Sequence, residues 1–269
     1  MAYQFILYGK EDGVAIITLN QPDKRNAWHS PMKAEIMHAL DDANADDGVG
    51  AIIVTGSEEG RAFSSGATMA PPGAKVDFET MELVRHGQVG GDTDQLVEKI
   101  IDLDKPIIAA INGVVAGAPI SLACACDFRI ASDQARFCMA FGRRGLVPGV
   151  CSTYWLTRLI GTAQLLELAY TNVVIDAKEM ERIGLVNKVV PHDQLISHCK
   201  ELYQKMKVIP PITLTLTRKM ALKNHELKKG LEEQRLWDHW GAGVVHATED
   251  RKEAEKSWIE KRDPVYKRK

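Results

Sequence analysis

The chain has 269 residues, a length that predicts one large domain or one domain with a small appendage. Hydrophobic residues make up 45% of it and charged residues 26%, which is typical of a globular protein and excludes long disordered or fibrous segments. Its 34 lysines and arginines nearly balance 36 aspartates and glutamates, so neither nucleic acid nor an anionic membrane is expected as the main partner. An anionic ligand would have to be bound by local cationic side chains.

The cysteine pattern bears on redox state and metal binding. Five cysteines are scattered along the chain without a CxxC pair: Cys124, Cys126, Cys138, Cys151 and Cys199. Their number is odd and no secretory signal precedes them. We therefore expect no disulfide framework and no metal site, and a cytoplasmic protein.

One uncharged stretch, from Pro106 to Cys126, has about the length of a membrane-spanning helix. Prolines, glycines and Asn112 divide it into two short apolar runs joined by a turn. The division predicts a buried strand, a tight loop and a buried helix rather than a membrane span.

The first predicted unit is a strand, a helix and a second strand. Val14–Leu19 is rich in β-forming residues, and Ser30 is expected to cap a helix that has Pro31 in its first turn. Four apolar residues share one face of that helix: Met32, Ile36, Leu40 and Ala43. Ala51–Gly56 is the second strand, and such a unit predicts parallel strands joined by a right-handed crossover.

Strands continue to alternate with helices along the chain. Residues 57–104 are predicted as a loop, an interrupted helical region and a helix from about Asp94 to Leu103. The next predicted elements are a strand at 106–111, a helix containing 121–126, a strand at 128–131, a helix opened by a capping box at 176–179, and a strand at 187–190. From His192 onward the pattern is almost wholly helical. The chain is therefore predicted to divide into an α/β core over 1–191 and a helical region over 192–269 that packs on the core and on neighbouring subunits.

Two small-residue loops are the best candidates for a functional site. Ala109–Ser121 is a buried strand that turns through glycines into a helix, whose first N–H groups have no helical partner. Arg61–Thr68 follows the strand that ends at Gly56, and its small residues would let a backbone N–H approach a ligand closely. Both loops also have a simpler interpretation, since small residues at such turns often serve packing alone.

At these two loops the sequence resembles the crotonase superfamily, the enoyl-CoA hydratase/isomerase family. The matching stretches occur in the family's order over nearly the whole chain: 19–27, 51–56, 62–67, 105–113, 126–131, 145–149, 248–253 and 260–262. The resemblance implies an α/β fold of the ClpP/crotonase type, a spiral of ββα units with a helical C-terminal trimerisation region. It also implies an acyl-CoA thioester as substrate, coenzyme A as part of that substrate, no bound prosthetic group, and a homotrimer or hexamer.

The resemblance assigns the electrophilic half of the chemistry to backbone groups. In the family, two N–H groups bind the thioester oxygen and stabilise an enolate-like intermediate, and by position these fall on Ala67 and Ala118. Relatives commonly have three glycines where this chain has Gly117, Ala118 and Pro119. Because the required donor belongs to residue 118, proline at 119 is expected to leave this oxyanion hole intact.

The acid–base half departs from the family pattern. Hydratases of the family use two glutamates, and the corresponding positions here hold Ser121 and Phe141. Neither side chain is a carboxylate, so ordinary enoyl-CoA hydration and single-glutamate isomerisation are not expected. The chain is interpreted as an atypical member, a lyase, isomerase or hydrolase of a CoA thioester. The alternative is a catalytically inactive acyl-CoA-binding or structural protein with the same fold.

Other residues near the expected pocket have both functional and structural interpretations. His86 and Asp94 are weak candidates for the base, or solvated surface groups. Arg143 and Arg144 could bind a substrate carboxylate, or simply lie in a solvated loop. Ser121 could donate to the substrate, cap its helix or pack. Tyr154 could be an acid but is favoured as an aromatic contact, and Cys138 and Cys151 are predicted to be packing residues.

For coenzyme A itself, the resemblance points to cations near the first strand and near the C-terminus. Lys24, Arg25, Ala27 and Ser65 match the part of the family that contacts the nucleotide and pantetheine. Lys261 matches a lysine that reaches the nucleotide of a neighbouring subunit. Each of the three cations could also be an ordinary surface group.

Overall fold

Two sheets form the centre of the structure, a computed structural model that describes residues 2–68, 92–142, 148–227, 248–260 and 262–267. The larger sheet has six strands, in spatial order β1 (Ile6–Glu11), β2 (Val14–Leu19), β3 (Ala51–Gly56), β5 (Ile107–Ile111), β7 (Phe128–Ser132) and β10 (Lys188–Val190). The smaller sheet has four, in the order β4 (Ala62–Ser64), β6 (Val114–Ala116), β8 (Arg136–Cys138) and β9 (Ile175–Asp176). Neighbouring strands are parallel, except for the β1–β2 and β8–β9 pairs.

Three strands of the larger sheet each continue through a short turn into a strand of the smaller sheet. β3 leads to β4, β5 to β6 and β7 to β8, so the chain winds through both sheets repeatedly. Within the smaller sheet, Ala62 of β4 pairs with Val114 of β6, and Val114 pairs with Arg136 of β8. Since parallel strands end at the same edge of a sheet, the loops that follow β4 and β6 are neighbours.

Helices cover both faces of the larger sheet. The described helices are α1 (Ser30–Ala45), α2 (Asp92–Asp102), α3 (Pro119–Ala125), α4 (Ser152–Thr171), α5 (Ala177–Arg182), α6 (Leu195–Met206), α7 (Pro211–Leu227) and α8 (Glu249–Glu260), with 3-10 turns at Pro22–Lys24 and His192–Gln194. Strand residues alternate between two cores, as a pleated strand requires. Ile52 and Val54 pack in the larger core, which includes α1 and α2, whereas Ile53 packs with Leu195 and Cys199 of α6.

The elements predicted from long apolar runs are confirmed. β2 and β3 lie parallel around α1, whose predicted face is fully buried. Asp176 caps α5, since its Oδ1 accepts the Glu179 N–H at 2.9 Å. The helix predicted from about Asp94 begins at Asp92. The division of the chain at 191 and 192 stays a prediction, although α6 contributes to the core of the sheet.

Three details differ from the predictions. The cap of α1 is His29 rather than Ser30: its Nδ1 accepts the Met32 N–H at 3.3 Å, and Ser30 is the first helical residue. Strands β1, β4, β6, β8 and β9 and helix α4 were not predicted. Residues 106–126 hold β5, β6 and α3, so the stretch is divided as expected, with an added strand. Among the described residues, no helix is long and apolar enough to cross a membrane.

Candidate active site

Two glycines bring the loops after β4 and β6 together. Gly117 has φ +63°, and a Cβ built on it would lie 3.7 Å from the Cα of Gly66. Gly66 has φ +128°, a backbone conformation that side-chain-bearing residues rarely adopt. The two glycines therefore let the two loop backbones lie close together. Ala67 and Ala118, the next residue in each loop, are neighbours as a result.

The N–H groups of Ala67 and Ala118 have no protein acceptor among the described residues. Around Ala67, Trp28 donates to the Gly66 carbonyl at 2.8 Å and Thr68 donates to the Trp28 carbonyl at 2.7 Å. That ladder leaves the Ala67 N–H on the opposite side of the strand. Ala118 precedes α3, and its carbonyl accepts the Ser121 N–H at 3.1 Å while its own N–H makes no such bond. Two unused donors on adjacent loops can bind one anionic or polarised oxygen.

Ser121 and Phe141 leave this neighbourhood without a carboxylate at either position. Ser121 is the third residue of α3, fully buried, and its hydroxyl has no hydrogen-bond partner among the described residues. It therefore does not cap its helix, which was one of the roles predicted for it. Phe141 is 8% exposed and packs in the larger core. Neither side chain can act as a carboxylate acid or base at these two positions.

The turn that carries Lys24 and Arg25 lies against the loop of Ala67. Arg25 has φ +51° and its carbonyl accepts the Ser65 N–H at 3.0 Å. The Ser65 hydroxyl donates to the Lys24 carbonyl at 3.2 Å, and the Ala27 N–H donates to the same carbonyl at 3.1 Å. The side chains of Lys24 and Arg25 are exposed. The structure thus brings these four sequence-predicted residues, Lys24, Arg25, Ala27 and Ser65, next to one proposed oxyanion donor.

The structure tests only some of the other candidates. His86, Arg143, Arg144 and Lys261 lie outside the described residues, and Asp94 is described only as part of the α2 backbone. Tyr154 makes aromatic contacts, as favoured from the sequence: its ring lies edge-on to Trp155 at 5.1 Å between centroids, and the Arg158 guanidinium stacks at 3.5 Å.

The exposure and the pKa values of the cysteines do not point to a nucleophile in this site. All five are free thiols. Cys138 is half-buried, but Cys151 is exposed at the residue before α4, so its prediction as a packing residue is wrong. Burial raises the pKa of Cys124 to about 11 and that of Cys199 to about 12. Such thiols are poor nucleophiles at neutral pH.

Two buried amides support the loops and were not predicted as functional residues. Asn112 joins the β5–β6 turn to the end of β3: its Oδ1 accepts the Gly56 N–H at 3.2 Å, and its Nδ2 donates to the Ser57 carbonyl at 3.4 Å. Asn26 occupies the equivalent place between the cationic turn and β4. Sequence motifs include both asparagines, but burial of an amide between distant segments leaves no pattern that could be recognised in advance.

Two of the three large cavities among the described residues border the C-terminal helices, and all three lie away from Ala67 and Ala118. One, of about 640 Å³, is bordered by Lys105, Tyr203 and the C-terminal Tyr266. The other, of about 500 Å³, is apolar and lies between Trp155 and α7. We assign the site by its backbone donors rather than by cavity size, because none of these cavities contains a residue of the two loops.

Comparison with known proteins identifies the family. Residues 9–269 match the family model described as enoyl-CoA hydratase/isomerase. The chain is 33% identical over 262 residues to a protein named crotonyl-CoA hydratase from Syntrophomonas wolfei, covering 97% of each chain. It is also 33% identical over 257 residues to a short-chain-enoyl-CoA hydratase from Clostridium acetobutylicum, covering 96% of this chain and 95% of that protein. The chain therefore belongs to the enoyl-CoA hydratase/isomerase family of acyl-CoA enzymes.

Solved structures agree with this assignment. An enoyl-CoA hydratase from Bacillus anthracis superposes with a TM-score of 0.89 at 29% identity, covering 99% of this chain and 100% of that one. A Geobacillus kaustophilus structure, described as subunit I of an enoyl-CoA hydratase, gives a TM-score of 0.87 at 32% identity, covering 99% of both chains. The crotonase-type α/β fold predicted from the sequence is confirmed.

Proposed function

We propose that this protein binds an acyl-CoA thioester with its carbonyl oxygen between the N–H groups of Ala67 and Ala118, and stabilises the enolate formed there. The observation that carries the proposal is that two backbone donors without a protein acceptor among the described residues lie on neighbouring loops. Donors fixed in advance at the place where charge develops favour the charged state strongly, because no reorganisation is needed.

Proton transfer in this proposal does not use the two family glutamate positions. A hydroxyl without a partner at Ser121 and an apolar ring at Phe141 have no pKa near neutrality. We therefore propose a lyase, isomerase or hydrolase reaction of a CoA thioester as the main activity. His86 and Asp94 remain the predicted, weak candidates for the base. The relatives named as hydratases make hydration the first alternative to test.

A second candidate function is acyl-CoA binding without catalysis. The specific observation in its favour is that both positions that would carry the acid–base residues are occupied by groups that cannot transfer a proton at neutral pH. Tight binding of butyryl-CoA and crotonyl-CoA without turnover over a broad panel of thioesters would favour this candidate. Turnover of any thioester would exclude it.

The proposal also covers the cofactor, the oligomeric state and the cellular location. Coenzyme A enters as part of the substrate, with no prosthetic group, in a cytoplasmic homotrimer or hexamer. These remain predictions. Sedimentation that gives only monomer at micromolar concentration would contradict the trimer, because obligate interfaces usually bury more than about 2,000 Å².

Removal of one backbone donor tests the oxyanion hole directly. Ala118→Pro deletes the N–H, and Ala118 already has φ −53°, within the range that proline requires. We expect the infrared carbonyl band of bound butyryl-CoA, labelled with carbon-13 at the thioester, to lose most of its shift to low frequency. Turnover of any processed thioester should fall by about 10² to 10³-fold.

The matched control is Ala118→Ser, which adds a side chain at the same residue but keeps the N–H. It should retain the carbonyl shift of the wild type. A full shift in Ala118→Pro, with a circular dichroism spectrum like that of wild type, would exclude Ala118 as an oxyanion donor.

Arg25→Ala tests the coenzyme A turn. The side chain is exposed next to the loop of Ala67, and charge-assisted contacts to phosphate typically contribute about 1.5–3 kcal/mol. We expect calorimetry to show at least several-fold weaker binding of coenzyme A, with a larger difference at low salt. Arg61→Ala, an exposed arginine in the turn before β4, serves as a control for general charge loss. Equal affinity of Arg25→Ala and wild type would rule out this assignment.

A further inference from the structure

Asn26 is a fully buried amide in the loop between the cationic turn and α1. Its φ is +55°, a left-handed conformation that asparagine tolerates better than most residues. Its side chain bonds in three directions: Oδ1 accepts the Gln21 N–H at 2.9 Å and the Ser57 hydroxyl at 3.3 Å, and Nδ2 donates to the Ala62 carbonyl at 2.8 Å. The amide thus joins three different segments of the chain, through Gln21, Ser57 and Ala62.

The backbone of Asn26 extends the same network. Its N–H donates to the Gln21 carbonyl at 3.0 Å, and its carbonyl accepts the Ser64 hydroxyl at 2.5 Å. Gln21 lies before the turn of Lys24 and Arg25, whereas Ser64 ends β4. Buried networks in which each member is satisfied are rigid, because breaking one bond leaves a polar group unpaired at low dielectric.

Two glycines keep the space that the amide requires. A Cβ built at Gly56 or at Gly60 would lie 2.9 Å from Asn26 Nδ2, closer than real contacts allow. The Gly56 Cβ would also lie 2.9 Å from Asn112 Oδ1. The end of β3 therefore passes between the two buried amides, one facing the coenzyme A turn and the other facing the β5–β6 turn.

We propose that Asn26 is a positioning residue that sets the coenzyme A turn and the Ala67 oxyanion donor relative to each other. Its contacts hold Gln21 on one side and Ala62 and Ser64 on the other, and only Ser65 and Gly66 separate β4 from Ala67. A substrate bound at both ends spans this junction, so its affinity and its polarisation depend on the same amide. The inference rests on the proposed function, in which those two parts bind one acyl-CoA.

Asn26→Gly removes the side-chain amide but keeps the backbone conformation, since glycine adopts the same positive φ without strain. Two measurements separate the two ends of the substrate: calorimetry with free coenzyme A, and the infrared carbonyl band of butyryl-CoA labelled with carbon-13. We expect Asn26→Gly to weaken coenzyme A binding at least about fivefold and to lose most of the carbonyl shift. Arg25→Ala should change only the affinity, and Ala118→Pro only the carbonyl shift.

Asp12→Gly is the matched control, because Asp12 has φ +53° in the β1–β2 turn, remote from the site. It should leave both measurements as in wild type. If Asn26→Gly keeps both values within about twofold of wild type while folded, the proposal is wrong. If Asn26→Gly does not fold, Ser64→Ala decides: it removes one bond to Asn26, and unchanged affinity and carbonyl shift would then overturn the proposal.

The two hypotheses fail in different ways. Absence of a carbonyl shift in the wild type itself would reject the proposed oxyanion hole. The coenzyme A measurement would still test Asn26, since free coenzyme A has no thioester carbonyl and its affinity depends on the turn of Lys24 and Arg25 rather than on the oxyanion donors. A normal affinity in Asn26→Gly would then reject the positioning role independently.

Discussion

Purified protein is expected to hydrate crotonyl-CoA at least about 10²-fold more slowly than a working hydratase that turns over at about 10 s⁻¹. Each missing acid or base contributes on the order of 10² to 10⁴-fold to such a reaction, and both family positions lack one. The oxyanion donors at Ala67 and Ala118 should still polarise the thioester. Loss of the conjugated thioester absorbance provides the assay.

Restored carboxylates provide the positive test. Ser121→Glu combined with Phe141→Glu should raise the hydration rate above that of wild type if both side chains reach the substrate. Because Ser121 is fully buried and Phe141 is 8% exposed, the double variant should also be less stable. Ser121→Gln with Phe141→Gln is the matched control for size, and it should gain no activity. Turnover of the wild type at about 10 s⁻¹ or more would show that another residue supplies the base.

The sequence predicts the long, buried elements because their composition and their partners agree. β3 is six consecutive buried residues rich in β-branched side chains, and α1 has a continuous apolar face. In contrast, β4, β6 and β8 have three residues each, too few for an alternating pattern to appear. These short strands exist because their neighbours in the smaller sheet supply hydrogen bonds, a tertiary effect that local sequence does not contain.

The same limit applies to the site. The sequence predicts the loops of Ala67 and Ala118 as the candidate site, since small residues at fixed positions are visible in sequence. Asn26 was not identified, because its hydroxyl and carbonyl partners are up to 38 residues away in the chain. A single buried amide gives no local signal of the contacts it makes after folding.

Arg218→Met is expected to lower the free energy of unfolding by up to about 3–5 kcal/mol, since it leaves the Asp127 carboxylate, whose side chain is only 16% exposed, without its cationic partner. Arg218 lies on α7 with its side chain 6% exposed, and its Nε contacts both carboxylate oxygens of Asp127 at 2.9 Å. The rest of the guanidinium donates to three carbonyls at the end of α2, those of Ile100, Ile101 and Leu103. The residue thus stabilises a helix C-terminus and joins the helical C-terminal region to the sheet.

The effect should depend on pH in a defined direction. Burial raises the pKa of Asp127, and the charge of Arg218 is the main influence that opposes the rise. Without Arg218 the pKa of Asp127 in the folded state rises further above its unfolded value. As the pH is lowered, Asp127 is therefore protonated in the folded variant before it is protonated in the unfolded chain. The contribution of Asp127 to the variant's stability is then most favourable in acid and decreases as the pH rises through the unfolded pKa of about 3.9 toward the folded one. The difference from wild type should therefore shrink between about pH 7 and about pH 4.

Urea unfolding at one protein concentration measures this prediction, because oligomerisation would otherwise change the apparent stability. Lys219→Met is the control, since the neighbouring Lys219 pairs with Asp104 while 43% exposed and should contribute at most about 1 kcal/mol. Addition of Asp127→Asn to Arg218→Met should recover part of the loss, because the unpaired buried charge is then removed. A loss in Arg218→Met no larger than in Lys219→Met, or a difference that grows as the pH is lowered, would contradict the assignment of Arg218 and Asp127 as a largely buried ion pair that holds α7 on the core.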